Sequence, residues 1–328
     1  MDRITWFKEN LYKVNAKNFD TIALALFKIQ AEQNALYRSY LLQKGVSASS
    51  IDKIADIPFL PISFFKSHAI KTGEWEPETV FFSSGTTGTV TSQHFVKDLS
   101  FYLNHAEAIF KSYYGELDQY HFLALLPSYI ERGGSSLVAM ADHFIKKSGS
   151  PHSGFYLHNY SDLVDTINKL KNDSKRVILI GVTFALLELA ENYPVDLKNC
   201  IVMETGGMKG RRKEITRGEL HSILKNQLNI EKVASEYGMT ELLSQAYACA
   251  DGYYTAPTSM KMLIRNVYDP YQLEEIGRIG VIKVIDLANI DTCAFIETQD
   301  LGRLNKNASF EVLGRLDNSE SRGCNLMM

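Results

Sequence analysis

Cysteine is scarce in this chain, and its few copies lie too far apart to act together. The cysteines are at positions 200, 249, 293 and 324, and no C-x-x-C pair occurs. Zinc sites and disulfide frameworks need cysteines at close, repeated spacings, so the sequence predicts neither. We expect Cys200, Cys249 and Cys293 to be small buried apolar residues. Cys324 lies near the end of the chain.

A long uninterrupted apolar run is also missing. The longest apolar segment, 177–190, is broken by Gly181, Thr183 and Glu188, so it falls short of the roughly 18 apolar residues of a membrane-spanning helix. Residues 1–10 carry charges where a secretory signal peptide would be apolar. These two absences predict a cytoplasmic protein without a membrane span.

The sequence also lacks an excess of basic over acidic residues. The chain has 35 Lys and Arg against 38 Asp and Glu, which gives a formal net charge of -3. Nonspecific binding to nucleic acid or to an anionic membrane needs surplus positive charge, so we expect no nucleic-acid partner. The chain has 328 residues, of which 45% are hydrophobic. It can therefore bury a substantial core as one large α/β domain or about two smaller ones.

What the sequence does contain is a repeated alternation of apolar strands and helical segments. Ile22, Leu26 and Ile29 predict an N-terminal helix, with Asp20 as its cap and Gly45 at its end. The strand candidates are 80–82, 122–126, 177–181, 200–203, 280–285 and 294–298, and the helix candidates between them include 99–113 and 184–190. This alternation predicts an α/β fold of largely parallel sheets layered with helices, and the last two strands indicate an additional small β-rich subdomain.

A loop rich in glycine and hydroxyl groups, Ser83-Ser84-Gly85-Thr86-Thr87-Gly88, follows the strand candidate 80–82. Its two glycines let the backbone turn sharply and approach an anion, and its four hydroxyls can hydrogen-bond phosphate oxygens. The loop lacks the Gly-Lys-Ser/Thr ending of a Walker P-loop. An ordinary serine- and glycine-rich turn would have the same sequence, so the loop alone leaves both interpretations open.

A second motif, Ser235-Glu236-Tyr237-Gly238-Met239-Thr240-Glu241, follows the strand candidate 230–234 and is predicted to open an apolar helix. Tyr237 offers a flat aromatic face for a base, Thr240 a hydroxyl for phosphate, and Glu241 a carboxylate for Mg²⁺. A helix N-terminus with acidic residues favoured by the helix dipole would look the same.

Two shorter motifs lie near the end of the chain. In the first, 297–303, Asp300 is predicted to leave a strand, where its carboxylate can accept both ribose hydroxyls. A capped turn is an equally good interpretation of that segment. The second is Gly314-Arg315-Leu316-Asp317.

Together and in this order, the four motifs resemble the core signatures of the adenylate-forming superfamily of acyl-CoA synthetases, luciferases and adenylation domains. The resemblance implies the N-terminal core fold of that superfamily, with ATP and Mg²⁺ as cofactors. It also implies that the first loop holds the ATP phosphates through Ser84, Gly85, Thr86, Thr87 and Gly88.

The same resemblance gives roles to the second motif. It implies that Tyr237, followed by Gly238, stacks on adenine. Thr240 would contact the α-phosphate, which makes it a catalytic candidate, and Glu241 would bind Mg²⁺.

For the later motifs, the resemblance implies that Asp300 holds the ribose, that Arg315 binds the nucleotide and that Asp317 is a hinge. Gly206 and Gly207 match the small residues that flank adenine in that superfamily.

A closer resemblance is to the LuxE family, the acyl-protein synthetases of bacterial bioluminescence and their relatives, which are neighbours of phenylacetate-CoA ligase. Segments 57–66, 127–138 and 207–212 carry it, and it covers nearly the whole chain. The resemblance favours a fatty acid as substrate and an acyl reductase as partner.

The chain departs from the wider superfamily after Asp317, where other members continue into a mobile C-terminal domain with a catalytic lysine and this chain has only 318–328. We therefore expect an adenylate-forming core over 1–313, a hinge motif and short tail over 314–328, and no separate C-terminal domain. Mg²⁺ and basic residues of the core would then neutralise the phosphates, or those residues form a solvated basic loop. The candidates are Lys209, Arg211, Arg212 and Arg132.

The short tail contains Cys324, in the region where LuxE-type enzymes carry an acyl-accepting cysteine. Gly323 beside it would let the segment swing, and Arg322 would favour the reactive thiolate. A terminal cysteine without a role is the alternative.

These assignments predict ATP-dependent activation of a carboxylic acid to an acyl-adenylate, followed by transfer to Cys324, to CoA or to a carrier-protein thiol. A CoA or carrier-protein ligase and a non-catalytic adenylate-binding subunit are the alternatives. A hydrolase using Ser135 or Ser136 is disfavoured, because no G-x-S-x-G motif is present there. The eight histidines show no metal-ligand spacing, and His94, just past the first loop, is the one we expect to contact substrate or phosphate.

Overall fold

The structure is a computed structural model that describes residues 3–84, 90–126, 134–206 and 215–316. The helices in these ranges are α1 (Arg3–Asn10), α2 (Phe19–Gln33), α3 (Ala35–Gln43), α4 (Leu99–Tyr114), α5 (Ser136–Ser148), α6 (Tyr160–Leu170), α7 (Thr183–Asn192) and α8 (Arg217–Leu228). None of these described helices combines the length and the apolar character that crossing a membrane requires.

The described strands are short and follow the same chain order. They are β1 (Leu60–Pro61), β2 (Thr79–Phe82), β3 (Gln93–Val96), β4 (Tyr120–Leu125), β5 (Gly154–Phe155), β6 (Arg176–Val182), β7 (Ile201–Thr205), β8 (Ala234–Tyr237), β9 (Ala246–Ala248), β10 (Met260–Arg265), β11 (Gly280–Asp286), β12 (Phe295–Leu304) and β13 (Phe310–Arg315). The chain divides into two compact units: a central unit, 77–254, and a terminal unit, 1–76 with 255–328.

The central unit contains the predicted parallel sheet. Its six strands have the order β5-β4-β6-β7-β8-β9, and every pairing is parallel except that of β8 with β9. Strand β4 is buried along its whole length, which is typical of a parallel strand covered on both faces. Because the strands are parallel, β4, β6, β7 and β8 end at the same edge of the sheet.

The strand predicted at 80–82 exists but does not belong to that sheet. Strand β2 pairs antiparallel with β3 in a separate two-stranded sheet. Its assignment to a parallel β-turn-α pattern was wrong, because residues 93–96 alternate in burial and return directly as a partner strand. In the chain, segment 83–88 therefore falls between two antiparallel strands, and not between a strand of the parallel sheet and a helix.

The terminal unit contains the predicted β-rich part. Strands β1, β12, β11 and β10 form a sheet in that order, with β13 on β12, and only the β1–β12 pairing is parallel. Helices α2 and α3 replace the single N-terminal helix that we predicted. The residue before α2 is Asn18, so Asp20 is not its cap, and the break falls at Asn34, whose side chain accepts a hydrogen bond from Tyr37 N.

The cysteine prediction holds only in part. Cys293 is fully buried, Cys200 is half-buried, and Cys249 is exposed. The prediction that all three are buried was therefore wrong for Cys249. This residue follows β9, the edge strand of the central sheet, where the chain turns towards solvent.

Candidate active site

Several of the predicted site residues lie at the carboxyl edge of the central sheet. Ligands of parallel α/β sheets bind at this edge, because the loops that follow the strands meet there. Gly206 follows β7 and has a φ of 70°, a conformation that glycine adopts without strain. Its carbonyl accepts a hydrogen bond of 3.1 Å from Thr183 Oγ1, at the end of the neighbouring strand.

Tyr237 is the last residue of β8 and is buried. Its ring centroid lies 5.8 Å from that of Tyr254, with the planes tilted by 60°. The Arg217 guanidinium lies over Tyr254, 5.2 Å from the ring centroid, and Arg217 Nε lies 3.3 Å from Glu204 Oε1. Sequence reasoning missed this cluster, although an acidic residue inside the apolar strand β7 was a signal that could have revealed it.

The second motif does not open a helix, which corrects the prediction. Residues 238–245 form turns between β8 and β9. Strand β9 pairs antiparallel with β8, so the chain must reverse within these few residues and has no room for a helix. Thr240 is half-buried and Glu241 is buried, so both side chains are held by a compact turn.

His94 connects this turn to the hairpin that contains the first loop. It lies on β3, is 1% exposed, and its Nδ1 lies 2.7 Å from the carbonyl oxygen of Thr240. Because a carbonyl only accepts hydrogen bonds, Nδ1 must carry the proton. Burial lowers the pKa of His94 to about 4, although the bond to Thr240 acts in the opposite direction. The neutral ring therefore fixes the position of Thr240, while contact of His94 with substrate or phosphate stays a prediction.

The base of the hairpin loop 84–91 is closed by two hydrogen bonds. Ser83 N donates to the Ser92 carbonyl at 3.0 Å, and Ser92 N donates to Ser83 Oγ at 2.9 Å. Ser84, just beyond this clamp, is exposed. The His94–Thr240 contact thus joins β3, the strand that follows the first motif, to the second motif within the central unit.

Glu236 is an acidic residue of this edge to which sequence reasoning gave no role. It is 7% exposed, and its Oε2 accepts a hydrogen bond of 2.5 Å from Thr205 Oγ1. Burial raises the pKa of Glu236 to about 7; the Glu204 carboxylate also raises this pKa, whereas the Thr205 hydrogen bond opposes the rise. A Cβ atom at Gly238 would lie against Glu236 Oε1, so a larger residue there would require the Glu236 carboxyl group to shift.

This pKa predicts a pH-dependent stability. In the unfolded chain a glutamate has a pKa of about 4.3, so the stability associated with Glu236 is present below that pH and is lost as the pH rises through about 7. Relative to Glu236→Gln, the wild-type free energy of unfolding should fall by about 2 kcal/mol between pH 5.5 and 8.5. Urea denaturation of both proteins at the two pH values measures this difference. A difference between them that does not change with pH would contradict the assignment.

Asp300 and Arg315, both in the terminal unit, form a pair. They are cross-strand partners on β12 and β13, and Arg315 Nε donates to Asp300 Oδ1 at 3.3 Å. Asp300 lies within β12 and not at its end, which corrects the prediction. The register of the two strands brings the third and fourth motifs together.

The central unit also contains a small apolar cavity beneath the same sheet. Its ten lining residues come from β4, β6, β7, β9, α4 and α5, and all are aliphatic or aromatic; Phe110, Phe144, Ile180, Met203 and Tyr247 are among them. The cavity lies in the same unit as the first two motifs. Its volume of about 10 Å³ admits no more than one water molecule, so it is a small void in the packed core.

Several predicted residues lie outside the described ranges. They are Gly85, Thr86, Thr87, Gly88, Arg132, Gly207, Lys209, Arg211, Arg212, Asp317 and Cys324. In the part of the chain that the structure describes, no cluster of three or more His, Cys, Asp or Glu residues forms a metal site. Glu241 is compatible with Mg²⁺ without such a cluster, because Mg²⁺ is commonly held by one or two carboxylates together with substrate phosphates and water.

Comparisons with known proteins agree with this architecture. The family model described as acyl-protein synthetase, LuxE, matches residues 137–328. No curated protein matches the chain. A 2-hydroxyisobutyryl-CoA ligase in complex with 2-HIB-AMP and CoA is similar with a TM-score of 0.67 and 13% identity, over 92% of this chain and 76% of that one.

Two further solved structures are similar over a smaller share of their own length. ATP-bound MatB from Rhodopseudomonas palustris has a TM-score of 0.53 and 16% identity, over 72% of this chain and 47% of that one. The o-succinylbenzoate CoA synthetase MenE from Bacillus subtilis, in complex with AMP, has a TM-score of 0.50 and 19% identity, over 72% and 49%. The chain therefore spans about half the length of MatB and MenE, and the likeness shows the mixed α/β core fold of adenylate-forming enzymes.

Proposed function

The chain belongs to the LuxE acyl-protein synthetase family, and from that premise we propose that it activates a carboxylic acid with ATP and passes the acyl group to a thiol. The observation that carries the proposal is the 2.7 Å contact between His94 Nδ1 and the Thr240 carbonyl. It holds the hairpin of the hydroxyl-rich loop against the turn that contains Thr240 and Glu241. This contact supports the proposal, because it joins β3, the strand after the loop assigned to the phosphates, to the turn assigned to Mg²⁺.

In the first half-reaction, an oxygen of the acid's carboxylate attacks the α-phosphorus of ATP. The bond from that phosphorus to the bridging oxygen breaks, pyrophosphate leaves, and acyl-AMP remains. The protein contributes by positioning the two reactants and by stabilising charge. Thr240 would bind the α-phosphate, and the loop from Ser84 to Gly88 would bind the other phosphates.

The remaining nucleotide contacts follow the same assignment. Tyr237, with Gly238 and the glycines 206 and 207, would bind adenine, and Asp300 with Arg315 would bind the ribose and nucleotide. Lys209 is the proposed basic residue at the phosphates. In this proposal, residues 1–313 are the adenylate-forming core, and residues 314–328 are the hinge motif with a short tail.

Glu241 is the residue that would hold Mg²⁺, and its buried carboxylate fits that ion as an oxygen ligand. When bound, Mg²⁺ offsets negative charge on the phosphate oxygens.

In the second half-reaction, a thiolate sulfur attacks the acyl carbonyl, and AMP leaves with the electrons of the anhydride bond. Cys324 is the proposed acceptor, and an acyl reductase is the proposed partner that would take the acyl group onward. A fatty acid is the proposed substrate, as membership of the LuxE family suggests. The likeness to CoA ligases favours CoA as a second candidate acceptor.

Exchange of radioactive pyrophosphate into ATP tests the first half-reaction, because it requires a reversible adenylate step but no acceptor. We expect exchange that depends on both Mg²⁺ and acid, with acids bearing apolar chains as the best substrates. The panel should contain short, medium and long fatty acids and an aromatic acid, with a reaction lacking acid as the blank. Absence of exchange with every acid would contradict the proposal and favour a non-catalytic adenylate-binding subunit. Mass spectrometry of the thioester product then distinguishes acylation of the protein from acylation of CoA.

A further inference from the structure

The end of strand β2 is fixed to the start of helix α5. Phe82, the last residue of β2, donates a hydrogen bond of 2.6 Å from its backbone N–H to the carbonyl of Gly134. Gly134 comes directly before Ser135, the N-cap of α5. Ser83 and Ser84 follow Phe82 in the chain, so this bond determines the point at which the hydroxyl-rich loop begins.

Glycine is the residue that fits at position 134. Its φ is 80°, in the left-handed region that residues with a side chain rarely adopt. A Cβ atom there would lie 2.7 Å from Phe82 Cδ2 and 3.1 Å from the carbonyl oxygen of Val80. The ring of Phe82 is 43% exposed and can turn aside, but the Val80 carbonyl is part of the backbone of β2. A side chain at position 134 would therefore push β2 away from α5.

Tyr102 of α4 makes a second link between the same two elements. It is 5% exposed, and its hydroxyl donates a hydrogen bond of 2.9 Å to the carbonyl of Ser136, the first residue of α5. Its ring packs edge-on against Phe81 of β2, with 5.2 Å between the ring centroids. Tyr102 thus contacts α5 with its hydroxyl and β2 with its ring, and it supports the junction independently of Gly134.

We infer that Gly134 and Tyr102 are positioning residues for ATP, because they hold β2 where the groups that follow it can meet the phosphates. The inference rests on the proposed function, which assigns the loop from Ser84 to Gly88 to the phosphates. The neighbouring strand β3 is held by the contact of His94 with the turn after β8. Both strands that flank the loop are therefore attached to other elements of the central unit.

Gly134→Ala should lower the kcat/KM for ATP in pyrophosphate exchange by about 10- to 100-fold, because displacement of a positioned group by about 1 Å can cost that much. The substitution acts on the strand before the phosphate loop. The acid concentration for half-maximal exchange should therefore stay within about twofold of the wild type, since a displaced phosphate loop changes ATP binding first.

The other end of α5 provides a matched control. Gly149 is the C-cap of this helix and has a φ of 59°, and a Cβ atom there would have no neighbour within 4 Å. Gly134→Ala and Gly149→Ala both place alanine in left-handed backbone, so both should lower the melting temperature. Only Gly134→Ala should lower the kcat/KM for ATP.

Tyr102→Phe tests the second link without backbone strain. It keeps the ring against Phe81 and removes the hydroxyl, which leaves the buried Ser136 carbonyl without this donor. The kcat/KM for ATP should fall by about 3- to 10-fold, again with little change in the half-maximal acid concentration. Should Gly134→Ala not fold, the comparison of Tyr102→Phe with the wild type decides the question, and an unchanged kcat/KM for ATP would then overturn the inference.

The four proteins are compared by exchange with ATP and acid titrated separately, and by calorimetric titration with MgATP. A loss in Gly134→Ala no larger than that in Gly149→Ala would overturn the inference alone, and so would equal changes in the half-maximal concentrations of ATP and acid. Absence of exchange in the wild type would overturn the proposed function. ATP binding then decides the inference by itself: weaker binding in Gly134→Ala than in Gly149→Ala supports it, whereas equal binding, or none in the wild type, overturns it.

Discussion

Glu241→Gln should lower pyrophosphate exchange by about 100- to 1000-fold while leaving the protein folded. The carboxylate of Glu241 is buried in the turn after β8, next to Thr240, whose carbonyl is fixed by His94. An amide has nearly the same shape but no charge, so it is a much poorer ligand for Mg²⁺. The loss should therefore appear in the chemical step and in the Mg²⁺ concentration needed for half-maximal exchange.

A matched control is available on α4 of the same unit. Glu107 forms an ion pair with Lys111 at 2.9 Å and a hydrogen bond with His143 Nε2 at 2.7 Å, and it has no place in the proposed site. Glu107→Gln removes the same charge by the same substitution, and its exchange should stay within about twofold of the wild type, because such partly exposed pairs contribute little. Equal exchange in the two variants would remove Glu241 from the metal site. Circular dichroism and thermal melting of both variants verify that folding is retained.

The parallel sheet was the most predictable part of the fold. Segments 122–126, 177–181 and 200–203 are nearly continuous apolar runs, and strands buried on both faces require such runs. Each coincides with an observed strand, β4, β6 or β7, to within two residues at either end. Burial of apolar side chains determines the structure at these positions, and the local sequence is enough to predict it.

Strand β8 shows why the other elements were harder to predict from the sequence. The prediction placed the strand at 230–234, whereas it covers Ala234–Tyr237 and includes the polar residues Ser235 and Glu236. A strand that carries polar residues at candidate site positions lacks the apolar pattern by which strands are recognised. The helix predicted after Tyr237 was wrong for a related reason. The chain reverses there because β9 pairs with β8, and the local sequence does not display that pairing.

The candidate site was predictable where one motif contains the chemistry, and not where two distant segments share it. Tyr237, Thr240 and Glu241 could be named because they stand within five residues of one another. The Thr205–Glu236 hydrogen bond joins residues on different strands, so it depends on the register of β7 against β8, which the sequence does not display. The Arg217–Glu204 contact likewise joins the first residue of α8 to β7, and it depends on how the helix packs against the strand.

Cys324→Ser should abolish labelling of the protein by radioactive acid in the presence of ATP, while pyrophosphate exchange stays near the wild-type rate. In the proposed mechanism the two half-reactions use different groups: adenylate formation would need the residues around Thr240, whereas thioester formation would need a thiolate nucleophile. A serine hydroxyl is far less nucleophilic at neutral pH, because its pKa is far above that of a thiol. The substitution should therefore trap the reaction at acyl-AMP.

Three other cysteines provide the controls for this experiment. Cys249 is exposed and is the strongest competitor for adventitious acylation, whereas burial raises the pKa of Cys200 to about 11 and that of Cys293 to about 12. Raised pKa values keep these two thiols protonated and unreactive at neutral pH. Label in the wild type should be released by hydroxylamine, as a thioester is, and Cys249→Ser should retain it. Labelling that persists in Cys324→Ser but disappears in Cys249→Ser would move the acceptor to Cys249. If the wild-type protein is not labelled and acyl-CoA is formed instead, CoA is the thiol that accepts the acyl group.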